Sequence, residues 1–287
     1  MTEPITHTLD RPGATLTYDV RSNDASTEPV LLMIASPMAA AGFGTLSGFF
    51  TDRTVVTYDP RGSERSTLDD GSNKPTPDEH ADDLHRLITT LDAEPVDVFA
   101  SSGGAVNGLA LVARHPEQVR TLVAHEPPAA RYLPDREEAF AAIRDIRDTY
   151  QREGVGPGMA KFIMIVSHKG PIPADFADQP VDPAMFGLPT EDDGSRDDPL
   201  LGNIMAGTHY EFDFDALRAA ATRIVLAAGA ESEGIMTGRA THAVADRLGS
   251  TPTTFPGGHD GFLGGEYGQT GEPEAFATTL RQVLAEG

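Results

Sequence analysis

Short runs of aliphatic and β-branched residues recur along this chain: "PVLLMIA" (29–35), "RTVVTYD" (53–59), "VDVFA" (96–100), "RTLVAHE" (120–126) and "TRIVLAAG" (222–229). Each has the length of a strand and is apolar on both of its alternating faces, as a strand must be when helices cover the sheet on both sides. The segments between them carry helical spacing. "PDEHADDLHRLITTLDA" puts Leu84, Leu87, Ile88 and Leu91 on one face, and a second helix is expected from about Gly104 to His115. Strands joined through helices cannot be hairpin neighbours, so the pattern predicts a mostly parallel central sheet flanked by helices. An alternating strand, "GATLTYDV", precedes it. A helix "GRATHAVADRLG", a short strand "TPTTFPG" and a last helix "PEAFATTLRQVLAEG" close it.

The βα rhythm stops after Glu126. "DREEAFAAIRDIRDTYQREG" reads as an amphipathic helix and "GMAKFIMIVSHKG" as a shorter apolar one, while residues 171–200 are rich in Pro, Asp and Gly and read as loop. The expected organisation is therefore a core of residues 1–126 and 221–287, with residues 127–220 inserted as a helical cap over the strand ends. At 287 residues the chain is long enough for both.

Within "VDVFASSGGAVNG" a strand hands over to a helix through two serines and two glycines. A nucleophile elbow at such a turn needs small residues two positions before and two after the nucleophile. Ser102 meets this with Ala100 and Gly104; Ser101 would need Phe99 to be small. Gly103 then lets the N–H after the nucleophile approach a developing oxyanion. A dinucleotide-binding turn fits poorly, because glycines at 103, 104 and 108 do not spell G-x-G-x-x-G and the turn does not follow the first strand.

"FPGGHDGF" places His259 between glycines after a short strand, where the general base of such an elbow is expected. The other histidines read more blandly: His80 and His85 on a polar helix, His115 at a helix end, His242 on an exposed helix, and His168 and His209 in the insertion, with access to a pocket. For the acid, Glu231 and Glu233 follow the penultimate strand in "LAAGAESEG". Glu126, at the tip of "TLVAHE", is favoured, because Pro127 is expected to hold it in extended geometry beside the elbow.

Together the strand–helix order, "SSGG", "DPRG" (59–62), "HEPP" (125–128) and "FPGGH" resemble the cofactor-independent serine hydrolases of the α/β-hydrolase superfamily, over nearly the whole chain. The stretch from Ser101 to Pro128 is particularly similar to the zearalenone lactonases, whereas the insertion matches them poorly, so their substrate is not implied. The resemblance implies an α/β-hydrolase fold and a Ser102–His259–Glu126 triad. It also implies an oxyanion hole from the N–H of Gly103 and a second donor in "ASPMAAAGF"; spacing back from Phe43 points to the N–H of Ser36, and since Pro37 has no N–H the alternative is Met38. Neither a metal nor an organic cofactor is implied.

The expected reaction is hydrolysis of a hydrophobic ester or lactone through an acyl-enzyme. The alternative is a ligand-binding protein of the same fold with little or no turnover. A net charge of −22 argues against nucleic acid as partner. No apolar run is long enough for a membrane helix, and the first twenty residues lack the features of a secretion signal. With no cysteine in the chain, a cytoplasmic setting is expected. The expected partner is a small hydrophobic substrate, and a homodimer is left open.

Overall fold

The computed structural model describes residues 3–69, 74–93 and 95–286. The strands are β1 (Ile5–Arg11), β2 (Ala14–Arg21), β3 (Leu31–Ser36), β4 (Val55–Asp59), β5 (Thr67–Leu68), β6 (Val96–Ser102), β7 (Val119–His125), β8 (Arg223–Gly229) and β9 (Thr253–Phe255). The α-helices are α1 (Gly44–Gly48), α2 (Pro77–Leu91), α3 (Gly103–Arg114), α4 (Arg136–Glu153), α5 (Val155–Ser167), α6 (Pro199–Thr208), α7 (Phe214–Ala219), α8 (Met236–Leu248) and α9 (Pro273–Ala285).

The sheet runs β1-β2-β4-β3-β6-β7-β8-β9, with β5 on the side of β2. It is parallel from β4 through β9 and antiparallel where β2 meets β1, β4 and β5. The expected mostly parallel sheet is present. Patterning missed the two-residue β5 and the longer β1: "ITHTLDR" is polar and largely exposed, and it pairs with β2 across a Pro12-Gly13 turn in which Gly13 takes φ 78°.

Side chains alternate between two cores. Leu32, Ile34, Val98 and Ala100 pack with α2 and α3 on one face. Leu31, Met33, Ala35 and Phe99 pack with Phe255, Phe262 and the α9 residues Phe276 and Leu280 on the other. Asp97, a charge inside the apolar strand β6, is fully buried and accepts from Arg53 (2.6 Å) and Arg120 (2.7 Å). Asp83 on α2 does the same between Arg61 (2.6 Å) and Arg11 (3.1 Å). α2 starts cleanly because Thr76 and Glu79 cap each other's backbone around Pro77.

Residues 127–220 leave the sheet after β7 and rejoin it at β8, the next strand over. They carry α4, α5, α6 and α7. α4 buries Ile143, Ile146 and Tyr150, and Asp135 before it is paired with Arg239 of α8. The Pro/Asp-rich stretch contains only short turns until Asp198 caps α6 by accepting from Leu200 and Leu201. No helix among the described residues is long and apolar enough to cross a membrane.

Candidate active site

The parallel strands β3, β6, β7 and β8 end on the same side of the sheet, and a cavity of about 710 Å³ opens there. Ser102 ends β6 with φ 56° and ψ −127°, a backbone geometry that side-chain-bearing residues rarely adopt. The chain tolerates it because the next residues are glycines in forced contact. A Cβ on Gly103 would lie 2.5 Å from the Ser36 carbonyl oxygen, and one on Gly104 would lie 2.5 Å from Ala35 Cα and 2.7 Å from the Ile34 oxygen. The head of α3 thus presses directly on the backbone of β3. Ala100 answers the same need on the other side, since a Cβ on Gly108 would already sit 3.3 Å from the Ala100 Cβ.

Ser101 and Ser102 differ sharply. Ser101 is buried, and its hydroxyl lies 3.2 Å from His125 Nδ1, in a cage that includes Phe99, Phe262 and Phe276. Burial pushes His125 down to about 4, so this inner pair is neutral at physiological pH. Ser102 is half-buried and does not cap α3, and it faces the cavity together with His259. No hydrogen bond joins these two among the described residues. Such bonds often tighten only when substrate arrives.

His259 sits on the loop after β9. Its Nδ1 is 2.7 Å from Glu126 Oε2. The loop is anchored by Phe262, which packs against Phe43, Phe99 and Phe276. It also lies backbone-to-backbone on the end of β8, where a Cβ on Gly229 would meet the Gly257 oxygen at 2.7 Å.

Glu126 is fully buried, and its carboxylate accepts three hydrogen bonds: from His259, from Gly229 N–H (2.8 Å) and from the Thr237 hydroxyl (2.8 Å). Burial opposes its charge, but the bond from His259 leads the effects that outweigh it, and the carboxyl is held below its ordinary range. Burial likewise opposes a protonated His259. The hydrogen bond and charge of Glu126 overcome it and raise the imidazole above its ordinary value of 6.5. Glu231 and Glu233 are exposed.

One expectation about Glu126 is corrected. Pro127 does not hold it extended; its φ is 49°, in the left-handed region. Three donors on the carboxylate and a backbone bond from its N–H to the Ala227 oxygen (3.0 Å) over-determine the residue and override the steric preference of a pre-proline position.

Ser36 ends β3 in register with Ser102, and Ser36, Met38 and Gly103 all line the cavity. From the insertion, Phe162 and Ile204 line it too. Tyr210, Phe212 and Phe214 instead cluster with one another and Tyr132, while Met185 and Phe186 are exposed. His168 and His209 are not in the lining: His168 Nε2 lies 3.0 Å from the Pro171 oxygen, and His209 stacks on Phe140. His80 reverses its bland reading. It is buried and lines the cavity from α2. Thr237 and the Gly229 N–H, which hold Glu126, carry no local sequence signal, since Thr237 is more than a hundred positions away from it. Among the described residues no cluster of three or more His, Asp or Glu is arranged to hold a metal.

A family model described as alpha/beta hydrolase fold matches residues 44–156. The uncharacterized hydrolase YraK of Bacillus subtilis (strain 168) is 30% identical over 273 residues, spanning 89% of each chain. Among solved structures, a thermophilic esterase from Thermogutta terrifontis superposes with a TM-score of 0.68 at 18% identity, covering 99% of both chains. The enol-lactonase from Burkholderia xenovorans LB400 does so with a TM-score of 0.65 at 16% identity, covering 95% of this chain and 97% of that one. The chain belongs to the α/β-hydrolase superfamily and is a hydrolase of that fold.

Proposed function

We propose that the protein is a serine hydrolase that cleaves a hydrophobic ester or lactone through an acyl-enzyme. One observation carries this reading: a strained serine at the head of a helix shares a cavity with an imidazole bound to a buried carboxylate. Neutral His259 takes the Ser102 proton on Nε2 as Oγ adds to the substrate carbonyl. Its Nδ1–H keeps donating to Glu126, which fixes the tautomer and stabilises the imidazolium. The N–H groups of Gly103 and Ser36 receive the oxyanion; a donor of this kind contributes about 3 kcal/mol. The alcohol leaves with the proton from His259. Water then gives a proton to His259 and adds to the acyl carbon, and the carboxylic acid departs as Ser102 is regenerated.

Residues 127–220 serve as a cap in this proposal, with Phe162 and Ile204 shaping an apolar wall for the acyl chain. The esterase and enol-lactonase among the structural neighbours carry names compatible with this chemistry.

A fluorophosphonate probe tests the reading. Peptide mapping should find the adduct on Ser102, and Ser102→Ala should abolish both labelling and the burst of nitrophenol from a p-nitrophenyl ester. An adduct on Ser101, or ester turnover that survives in Ser102→Ala, overturns it. Tight ligand binding without any burst would favour the ligand-binding alternative.

A further inference from the structure

The cavity lining holds two buried polar side chains that nothing in the reaction above uses. His80 on α2 is 4% exposed and Asn107 on α3 is 3% exposed, yet both line the cavity. The Nδ1 of His80 and the Nδ2 of Asn107 are buried without a hydrogen-bond partner among the described residues. Leaving such a group unsatisfied costs about 1–3 kcal/mol, so a side chain kept in that condition points to a partner that arrives from outside.

Asn107 stands four residues after Gly103 on α3, so the two share a helix face, one turn or about 6 Å apart along the axis. Gly103 heads that face beside the nucleophile. The amide of Asn107 therefore waits one helical turn from where the scissile carbonyl would lie.

Charge narrows the partner. Among the described residues lining the cavity there is no Lys or Arg, and Glu64 and Asp260 are the only acidic ones. A substrate carboxylate or phosphate would meet no countercharge. Burial lowers His80 to about 4, so its ring is neutral and offers one donor and one acceptor nitrogen. An Asn amide also offers both. A hydroxyl, which donates and accepts, satisfies either amide orientation and either imidazole tautomer.

Resting on the serine-hydrolase reading, we infer that His80 and Asn107 form a specificity subsite for an uncharged substrate bearing a hydroxyl group about one helical turn from the carbonyl attacked by Ser102. The apolar cap wall would take the carbon chain, and this pair would take its polar end.

The test compares p-nitrophenyl ω-hydroxyhexanoate with p-nitrophenyl heptanoate, its near-isostere with CH3 in place of OH. The wild-type protein should favour the hydroxy ester in kcat/KM by about 10- to 100-fold. An apolar pocket would favour the heptanoate. Asn107→Leu and His80→Phe, each checked for a cooperative thermal transition, should bring the ratio to one or below. A binding arm removes turnover: in Ser102→Ala, calorimetry should show methyl ω-hydroxyhexanoate binding tighter than methyl heptanoate. A wild-type ratio at or below one with no binding preference overturns the subsite, since water would then satisfy the pair, as does a preference that survives both substitutions, since other residues would then bind the hydroxyl. Absent turnover with an intact binding preference overturns the serine-hydrolase reading and leaves the subsite standing.

Discussion

Replacing Glu126 by Gln is nearly isosteric, yet the structure makes its consequence severe. The carboxylate accepts from Gly229 N–H on Oε1, and from His259 Nδ1 and the Thr237 hydroxyl on Oε2. Gly229 N–H is a backbone donor and cannot turn round, so the Gln oxygen must stay on it. That forces the Gln NH2 toward His259 and Thr237. The Thr237 hydroxyl can switch to accepting. His259 can accept on Nδ1 only by moving its proton to Nε2, the nitrogen that takes the Ser102 proton in the proposed reaction.

The fold should survive Glu126→Gln, because each buried atom keeps a partner. The catalytic tautomer does not. In a serine protease the equivalent change from aspartate to asparagine costs about 10⁴ in turnover, or about 5.4 kcal/mol of barrier. The assay is kcat/KM on a p-nitrophenyl ester, with the unfolding midpoint measured alongside and imidazole 15N shifts reporting the tautomer. Glu231→Gln and Glu233→Gln, at exposed positions, should stay within a few-fold of wild type. If Glu126→Gln loses only a few-fold, or if one of the controls is the crippled variant, the assignment of the acid is wrong.

Further expectations follow from the same geometry. In the proposed reaction His259 acts as the neutral base, and it is raised above 6.5, so the acid limb of kcat/KM should have its midpoint above pH 6.5. Activity should fall as the pH drops through it, and an acid limb centred well below that value would contradict the pairing. Glu126, depressed instead, should add no limb between pH 5 and 8. Gly104→Ala puts a Cβ 2.5 Å from Ala35 Cα, so it should destabilise by roughly 1–3 kcal/mol. Gly202→Ala, in helix α6 with nothing within 4 Å, should instead gain up to about 1 kcal/mol; thermal melts separate the two. Phe162→Ala and Ile204→Ala should lower kcat/KM for long-chain p-nitrophenyl esters more than for acetate, and equal losses on both would remove these residues from the acyl wall.

Much of the fold was legible in the sequence because strand and helix periodicities are local. The apolar runs around Leu32, Val56, Val98, Val123 and Leu226 mark strands covered on both faces, and that coverage demands crossover helices whatever the rest of the chain does. The tight turn at Ser102 was legible for the same reason: sterics at Ala100, Gly103 and Gly104 act within two residues of it. β1 was not, since an exposed edge strand needs no apolar face. The backbone of Glu126 was not, because the local bias imposed by Pro127 is weaker than three hydrogen bonds from distant residues. Nor was the burial of His80 legible: it sits among charged neighbours on α2, and only the folded chain buries it in the wall of the cavity that Asn107 also lines. Periodicity and turn sterics act over a few residues and can be read from a string; the donors around Glu126 come from 103, 111 and 133 positions away, and only the folded molecule brings them together.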